Sequence, residues 1–306
     1  MKKKVHLVLG SGGARGLAHI AVIEELEKEG FEIIEIIGCS MGAVIGGFYA
    51  SGHLKEYKEW LFGLSKSDVF DLMDFTFTKQ GFIKGEKIFN RLKEITGDLK
   101  IEDFEIPFTA VATDMKNNKE VHFRKGDLFK ALRASVSIPG VFLPVIEGNK
   151  LLVDGGVLNP MPVNLVKKEA GAIVVAVNLN APAEESFKTI KRNTKELARK
   201  HEIQKWIEKM LPDGLKEYAK KYEKESEIEK EDFSLLGLME ATFSFTQDRL
   251  TELILETSKP DVLISIPRNA AGTFEFYESR KIYMLGLERC RKAMQHLDVS
   301  PTNRPF

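Results

Sequence analysis

The chain has 306 residues, 43% of them hydrophobic and 29% charged, and its 45 basic and 45 acidic side chains cancel to a formal net charge of zero. That is enough apolar matter for a large core, and the balanced charge excludes a field suited to nucleic acid or an anionic membrane. Two cysteines, Cys39 and Cys290, are too few for a disulfide framework or a metal cluster.

The basic start, Met1-Lys2-Lys3-Lys4, is followed by an apolar run that stops at Gly10. This is too short for a signal peptide, and no run is long enough to span a bilayer, so a cytoplasmic protein is expected. Val5 to Leu9 reads as a buried parallel strand, and Gly10-Ser11-Gly12-Gly13-Ala14-Arg15-Gly16 as a glycine loop. Leu17 to Glu29 has amphipathic helical spacing closed by Gly30. Phe31 to Ile37 is a second strand, and Ala43 to Ala50 is small and apolar, as in a tightly packed helix. Strand, loop, helix, strand, turn, helix opens a doubly wound parallel sheet.

Between the second strand and its helix lies Gly38-Cys39-Ser40-Met41-Gly42. A serine at the apex of a strand-to-helix turn sits in strained backbone, and glycines two before and two after relieve the crowding. Ser40 is therefore a candidate nucleophile. The glycine loop has three readings. A dinucleotide fingerprint fails, because position 15 is Arg15 and the next strand ends in Gly38-Cys39-Ser40 rather than an acid. An oxyanion hole is favoured: the N–H groups of Gly12 and Gly13, with Ala14 beside them, point to one spot at a helix N-terminus. A plain turn is the bland alternative. Arg15 is either an anchor for the loop, a positive charge near the anion site, or a surface arginine.

From His53 to Phe89 many large apolar groups fall on short segments, Phe62, Phe70, Phe75, Phe77 and Phe82 among them. A helical cap and an apolar wall for an acyl chain are both compatible with this pattern. Lys87 to Thr96 is an amphipathic helix, Ile106 to Asp114 and Glu120 to Arg124 are strands, and Asp127 to Ser137 is a helix stopped by Ile138-Pro139-Gly140. Leu151 to Val153 is a strand ending in Asp154-Gly155-Gly156, where the glycines let the carboxylate approach another loop. An Asx turn is the ordinary reading of such an aspartate; a serine in need of a base makes Asp154 the second candidate. Pro162 opens a helix, and Ile173 to Val177 is a central strand. Ala181 to Asp232 is a charged helical excursion, with Ile203, Trp206 and Leu211 at helical spacing, which suits a solvated arm, a lid or a membrane-surface contact. Phe233 to Thr257, Asp261 to Ile266 and Tyr277 to Leu297 complete the chain as helix, strand and helix.

A serine usually takes histidine as its base. His6, His19, His53 and His122 precede the position that a hydrolase triad demands, and His201 and His296 lie on helical stretches rather than on a loop after a strand. A Ser40–Asp154 dyad is the arrangement left, with a histidine-dependent esterase as the competing reading.

Four blocks in this order resemble the patatin-like phospholipases, in particular bacterial members akin to the neuropathy-target-esterase group. They are Gly12-Gly13-Ala14-Arg15-Gly16, although the family's first glycine is Ser11 here, then Gly38-Cys39-Ser40-Met41-Gly42, Ser137-Ile138-Pro139 with Phe142 and Pro144, and Asp154-Gly155-Gly156. The resemblance implies a three-layer α/β/α sandwich with a mostly parallel central sheet. It implies a lipid acyl hydrolase using a Ser40–Asp154 dyad, with Arg15, Gly38, Gly42, Gly155 and Gly156 in support and no metal or other cofactor. The implied partner is a lipid or fatty-acyl ester substrate. A single domain over residues 1–306 is expected, with a helical insertion or lid at about 183–232. A catalytically inactive lipid-binding protein of the same fold is the reading from a different class.

Overall fold

A computed structural model of the chain describes residues 3–78, 81–187 and 235–295. In chain order its elements are β1 (Lys3–Leu9), α1 (Leu17–Lys28), β2 (Phe31–Cys39), α2 (Met41–Ala50), α3 (Leu54–Gly63), α4 (Lys66–Leu72), β3 (Phe75–Thr78), β4 (Gly81–Ile83) and α5 (Glu86–Thr96). There follow β5 (Phe108–Asp114), β6 (Lys119–Phe123), α6 (Leu128–Ser135), β7 (Val145–Glu147), β8 (Lys150–Asp154), β9 (Ile173–Ala181), α7 (Leu235–Thr257), β10 (Val262–Pro267) and α8 (Ser279–Met294). The described residues of 1–184 and 245–295 form one compact unit. The charged excursion, with Trp206 and its neighbours, lies almost wholly outside the described residues.

The main sheet runs β10-β9-β1-β2-β5-β8-β7, with β6 also on β5. Strands β10, β9, β1, β2 and β5 are parallel to their neighbours in that series, while β6 and β8 run antiparallel to β5. Their side chains alternate between two covered faces. Leu9 and Ile36 point to α2, where Gly46 lets the helix come close. Val8, Ile37 and Cys39 point the other way, beneath Met161, Val163, Leu165 and Val166, and Leu255 of α7 packs beside them. Helix α2 therefore covers one face, and the 161–166 segment with Leu255 covers the other. Leu7, Ile36 and Ile45 are fully buried, and burial of each such side chain stabilises the fold by roughly 2 kcal/mol.

The register on β5 decides where the site forms. Strand β6 pairs continuously with Ala110 to Asp114 along one edge. The other edge is shared: β2 occupies it up to Val111, opposite Cys39, and β8 takes over at Ala112, opposite Asp154. The carboxyl ends of β2 and β8 therefore meet head to head.

Two local expectations change, and one short strand is new. The residues after Pro162 make only a 3-10 turn, Pro162–Leu165, and leave it extended at Val166. The turn lays Met161 and Val163 flat on the sheet, which a full helix would roll away. The apolar stretch after α4 contains a β3–β4 hairpin, in keeping with the aromatic and threonine alternation of Phe75 to Thr78. A short β7 pairs with β8 across Gly148, whose φ of 56° suits a tight turn.

Candidate active site

Ser40 stands between β2 and α2 with φ 54° and ψ −122°, a conformation rare for a residue with a side chain. Such backbone costs on the order of 1–3 kcal/mol and persists only where the surroundings impose it. The surroundings here are backbone atoms. A Cβ on Gly38 would lie 2.5 Å from the Ala43 nitrogen, and one on Gly42 would lie 2.0 Å from the Leu9 carbonyl oxygen. Neither position has room for a side chain, so the spacing of the two glycines follows from close approach. Although Ser40 is the N-cap of α2, its hydroxyl caps nothing. Its N–H donates to Ser135 Oγ at 2.9 Å, and Ser135 Oγ donates to the Val111 carbonyl at 2.7 Å.

Ser40 Oγ donates to Asp154 Oδ2 at 2.6 Å. The other carboxylate oxygen accepts the Gly156 N–H at 2.7 Å, and the Asp154 N–H donates to the Ser137 carbonyl. Asp154 is fully buried and Ser40 is 4% exposed. Burial pushes the Asp154 carboxyl up to about 7, against the hydrogen bonds from Ser40 and Gly156, which favour the ionised form. A carboxyl in that range is a base suited to neutral pH. Gly155 sits against the Val111 carbonyl and the Cys39 sulfur. Burial, followed by the nearby charges of Asp154 and Glu120, pushes the Cys39 thiol well up and keeps it protonated.

The glycine loop adjoins the elbow because β1 and β2 are neighbours, with Leu9 opposite Gly38. Gly16 lies against the Met41 side chain. Among the described residues nothing accepts a hydrogen bond from the N–H of Gly12 or Gly13. Ala14, expected as a third donor, gives its N–H to the Thr273 carbonyl at 2.9 Å, which narrows the candidate donors to Gly12 and Gly13. Arg15 is not a surface arginine. It is buried, and its guanidinium donates to the carbonyls of Leu179 and Ala271 and to Asn180 Oδ1, which ties the loop to the end of β9 and to the chain after β10.

The described histidines are engaged elsewhere. His6 bonds Glu35, His19 bonds the Gly10 carbonyl, His53 bonds Ser51, and His122 bonds Glu120. Among the described residues no histidine bonds Ser40 or Asp154; His201 and His296 lie outside them. No group of three or more His, Cys, Asp and Glu among the described residues is arranged to hold a metal ion, and no described helix is long and apolar enough to cross a membrane.

Phe62 packs edge-on against Tyr283 and lines a cleft of about 600 Å³ with Glu24, Lys58 and Arg280, away from both dyad residues. Phe142 follows the Ser137-Ile138-Pro139 block and faces Phe274, which is next to the Thr273 that caps the glycine loop. Two buried partners of the site, Ser135 and Gln247, were not foreseen from the sequence. Neither belongs to a local pattern, although Ser135 lies two residues before a block that was singled out.

The chain is similar in sequence to several known proteins. An uncharacterized NTE family protein of Mycobacterium tuberculosis is 44% identical over 177 residues, 58% of this chain and 49% of its own length. A second uncharacterized NTE family protein of that organism is 34% identical over 182 residues, covering 58% of this chain and 30% of the relative. Lysophospholipase NTE1 of Debaryomyces hansenii is 31% identical over 187 residues, 58% of this chain and 12% of the yeast protein. The chain thus spans about half or less of the length of these relatives. The solved structure of VipD from Legionella pneumophila aligns with a TM-score of 0.45 and 11% identity over 96% of this chain and 67% of that one. The family model described as patatin-like phospholipase matches residues 7–167, which is more than half of the chain and holds the glycine loop, the elbow and Asp154, and on that match the chain belongs to the patatin-like phospholipase family.

Proposed function

We propose that the protein is a serine hydrolase that cleaves acyl esters of lipids through a Ser40–Asp154 dyad. The observation that carries this reading is the 2.6 Å hydrogen bond from a strained, elbow-mounted Ser40 to the buried Asp154. Asp154 accepts the hydroxyl proton as Ser40 Oγ attacks the ester carbonyl carbon. The carbonyl oxygen takes up the negative charge and is held by the Gly12 and Gly13 N–H groups beside the elbow; each such donor contributes about a hundredfold or more in rate. Asp154 then returns the proton to the departing alcohol. In the second half it deprotonates a water, which attacks the acyl-enzyme carbonyl, and the proton passes back to Ser40 as the fatty acid leaves. Lipid as the substrate class rests on membership of the family and on the lysophospholipase among the relatives.

Hydrolysis of p-nitrophenyl acyl esters by the wild type, Ser40→Ala and Asp154→Asn tests the dyad. Turnover by the wild type and loss of at least two orders of magnitude in each variant are expected. Retention of wild-type turnover by either variant refutes the dyad, and its loss in His201→Ala or His296→Ala points instead to a histidine base. A fluorophosphonate should label Ser40; a wild type that neither labels nor turns over is a binding protein.

A further inference from the structure

Gln247 of α7 is 5% exposed, and its side chain reaches both catalytic loops. Its Nε2 donates to Ser11 Oγ at 3.1 Å, at the start of the glycine loop. The same nitrogen would lie 1.9 Å from a Cβ on Gly156, so the amide rests directly on the glycine whose N–H holds Asp154. Gly156 has no room for a side chain because Gln247 occupies that space. Ser11 is itself fixed on two further sides. Its N–H donates to the Pro160 carbonyl, in the loop that follows Asp154, and its carbonyl accepts from Asn180 Nδ2. Its hydroxyl is left for Gln247 alone among the described residues, and a glycine at position 11 would offer Gln247 no such acceptor.

We propose that Gln247 is a positioning residue: through its hydrogen bond to Ser11 and its contact with Gly156 it sets the oxyanion loop in register with the Asp154 loop. The inference rests on the hydrolase reading above. The physical case is that the N–H groups of Gly12 and Gly13 and the Asp154 carboxylate must converge on one ester group, yet they belong to separate loops. A buried amide that touches both fixes their separation. A displacement of about 1 Å between such groups costs on the order of a hundredfold in rate.

The test compares Gln247→Met, Ser11→Ala and the double variant on p-nitrophenyl esters, with thermal unfolding as the check that each is folded. Methionine keeps the length and the packing on Gly156 but cannot donate. Each single variant should lose about tenfold or more in kcat with KM within about twofold of wild type, because the loss lies in alignment and not in ester binding. The double variant should be no slower than the worse single variant, since both remove one hydrogen bond. The inference is overturned if either folded single variant keeps wild-type kcat, if the loss falls on KM, or if the two losses multiply. Should Gln247→Met fail to fold, Ser11→Ala decides alone, since it leaves α7 untouched. A wild type without turnover or fluorophosphonate labelling sinks the hydrolase reading and takes this inference with it, an outcome distinct from an active wild type with unaffected variants.

Discussion

Asp154→Asn, which on the proposed dyad abolishes turnover, should make the protein more stable, and the gain should grow with pH. Burial raises the Asp154 carboxyl from 3.8 to about 7, so the folded chain holds a proton that the unfolded chain has released across that window. A carboxyl whose folded pKa is raised contributes stability at low pH and loses it as pH rises through the folded value. Relative to pH far below 4, ionisation of this group costs about 2 kcal/mol of stability at pH 5 and about 4 kcal/mol at pH 8. Asparagine carries no charge, keeps an oxygen for the Gly156 N–H, and escapes the penalty. The stability gap in favour of Asp154→Asn should therefore widen by about 2.5 kcal/mol between pH 5 and pH 8, which for a chain of this length is about 4 °C in Tm. Thermal unfolding of both proteins at the two pH values, followed by circular dichroism, measures the gap. A gap that stays constant, or one that favours the wild type more at pH 8, refutes the claim that a buried, reluctantly ionised carboxylate faces Ser40.

On the proposed dyad, kcat/KM of the wild type for a p-nitrophenyl ester should rise about tenfold per unit below pH 7 and level off above it, since only ionised Asp154 would accept the proton. A pH-independent rate between pH 5 and pH 8 excludes Asp154 as the base. His19 acts in the opposite direction on stability. Burial lowers it from 6.5 to about 4, with the Gly10 carbonyl opposing, so the unfolded chain binds a proton that the fold rejects and stability falls as pH drops below 6.5. Between pH 7 and pH 5 this loss is about 2 kcal/mol, near the gain from protonating Asp154, and in the wild type the two nearly cancel. Urea titration of Asp154→Asn should expose the loss, and adding His19→Gln should remove it; a flat profile in Asp154→Asn refutes the assignment. Ser135→Ala strips the Ser40 N–H of its partner, and about 1–3 kcal/mol of stability together with about tenfold in kcat should go with it. Unchanged kcat in the folded variant would mean that the strained elbow holds itself.

The parts of the site legible in the sequence are those with a local cause. Gly38 is needed because the chain folds back on Ala43 within five residues, so that crowding and its relief are written side by side; Gly42 is read from the same spacing, although the backbone it clears is that of Leu9. Asp154 was legible because a strand ended in it and two glycines cleared its approach. What stayed hidden depends on contacts between distant segments. Ser135 is an ordinary helix residue until β5 places the Val111 carbonyl beneath it, and Gln247 is an ordinary amide on an apolar helix until Gly156 leaves a space for it. Ala14 looked like a donor by its place in the loop, but the Thr273 carbonyl comes from more than 250 residues away and takes its N–H. The 3-10 turn after Pro162 was misread for the same reason, because the sheet beneath it selects a flat packing that proline at a helix start does not reveal.

Strand β5 explains why two residues so far apart in sequence meet at hydrogen-bond distance. Ser40 is held by Ser135, which is bonded to the carbonyl of Val111, and Asp154 is paired opposite Ala112. Both halves of the dyad are thus referenced to consecutive residues of one fully buried strand. A slip of β8 by one residue would carry Asp154 about 3.3 Å along the strand and turn its side chain to the other face. Only three pairs join β8 to β5, too few to forbid such a slip by themselves. The register is secured at both ends instead. The Met115 N–H donates to the Leu151 carbonyl and Asp114 accepts the Leu151 N–H at one end; the Asp154 N–H donates to the Ser137 carbonyl at the other. The distance between Ser40 and Asp154 is therefore a property of backbone register.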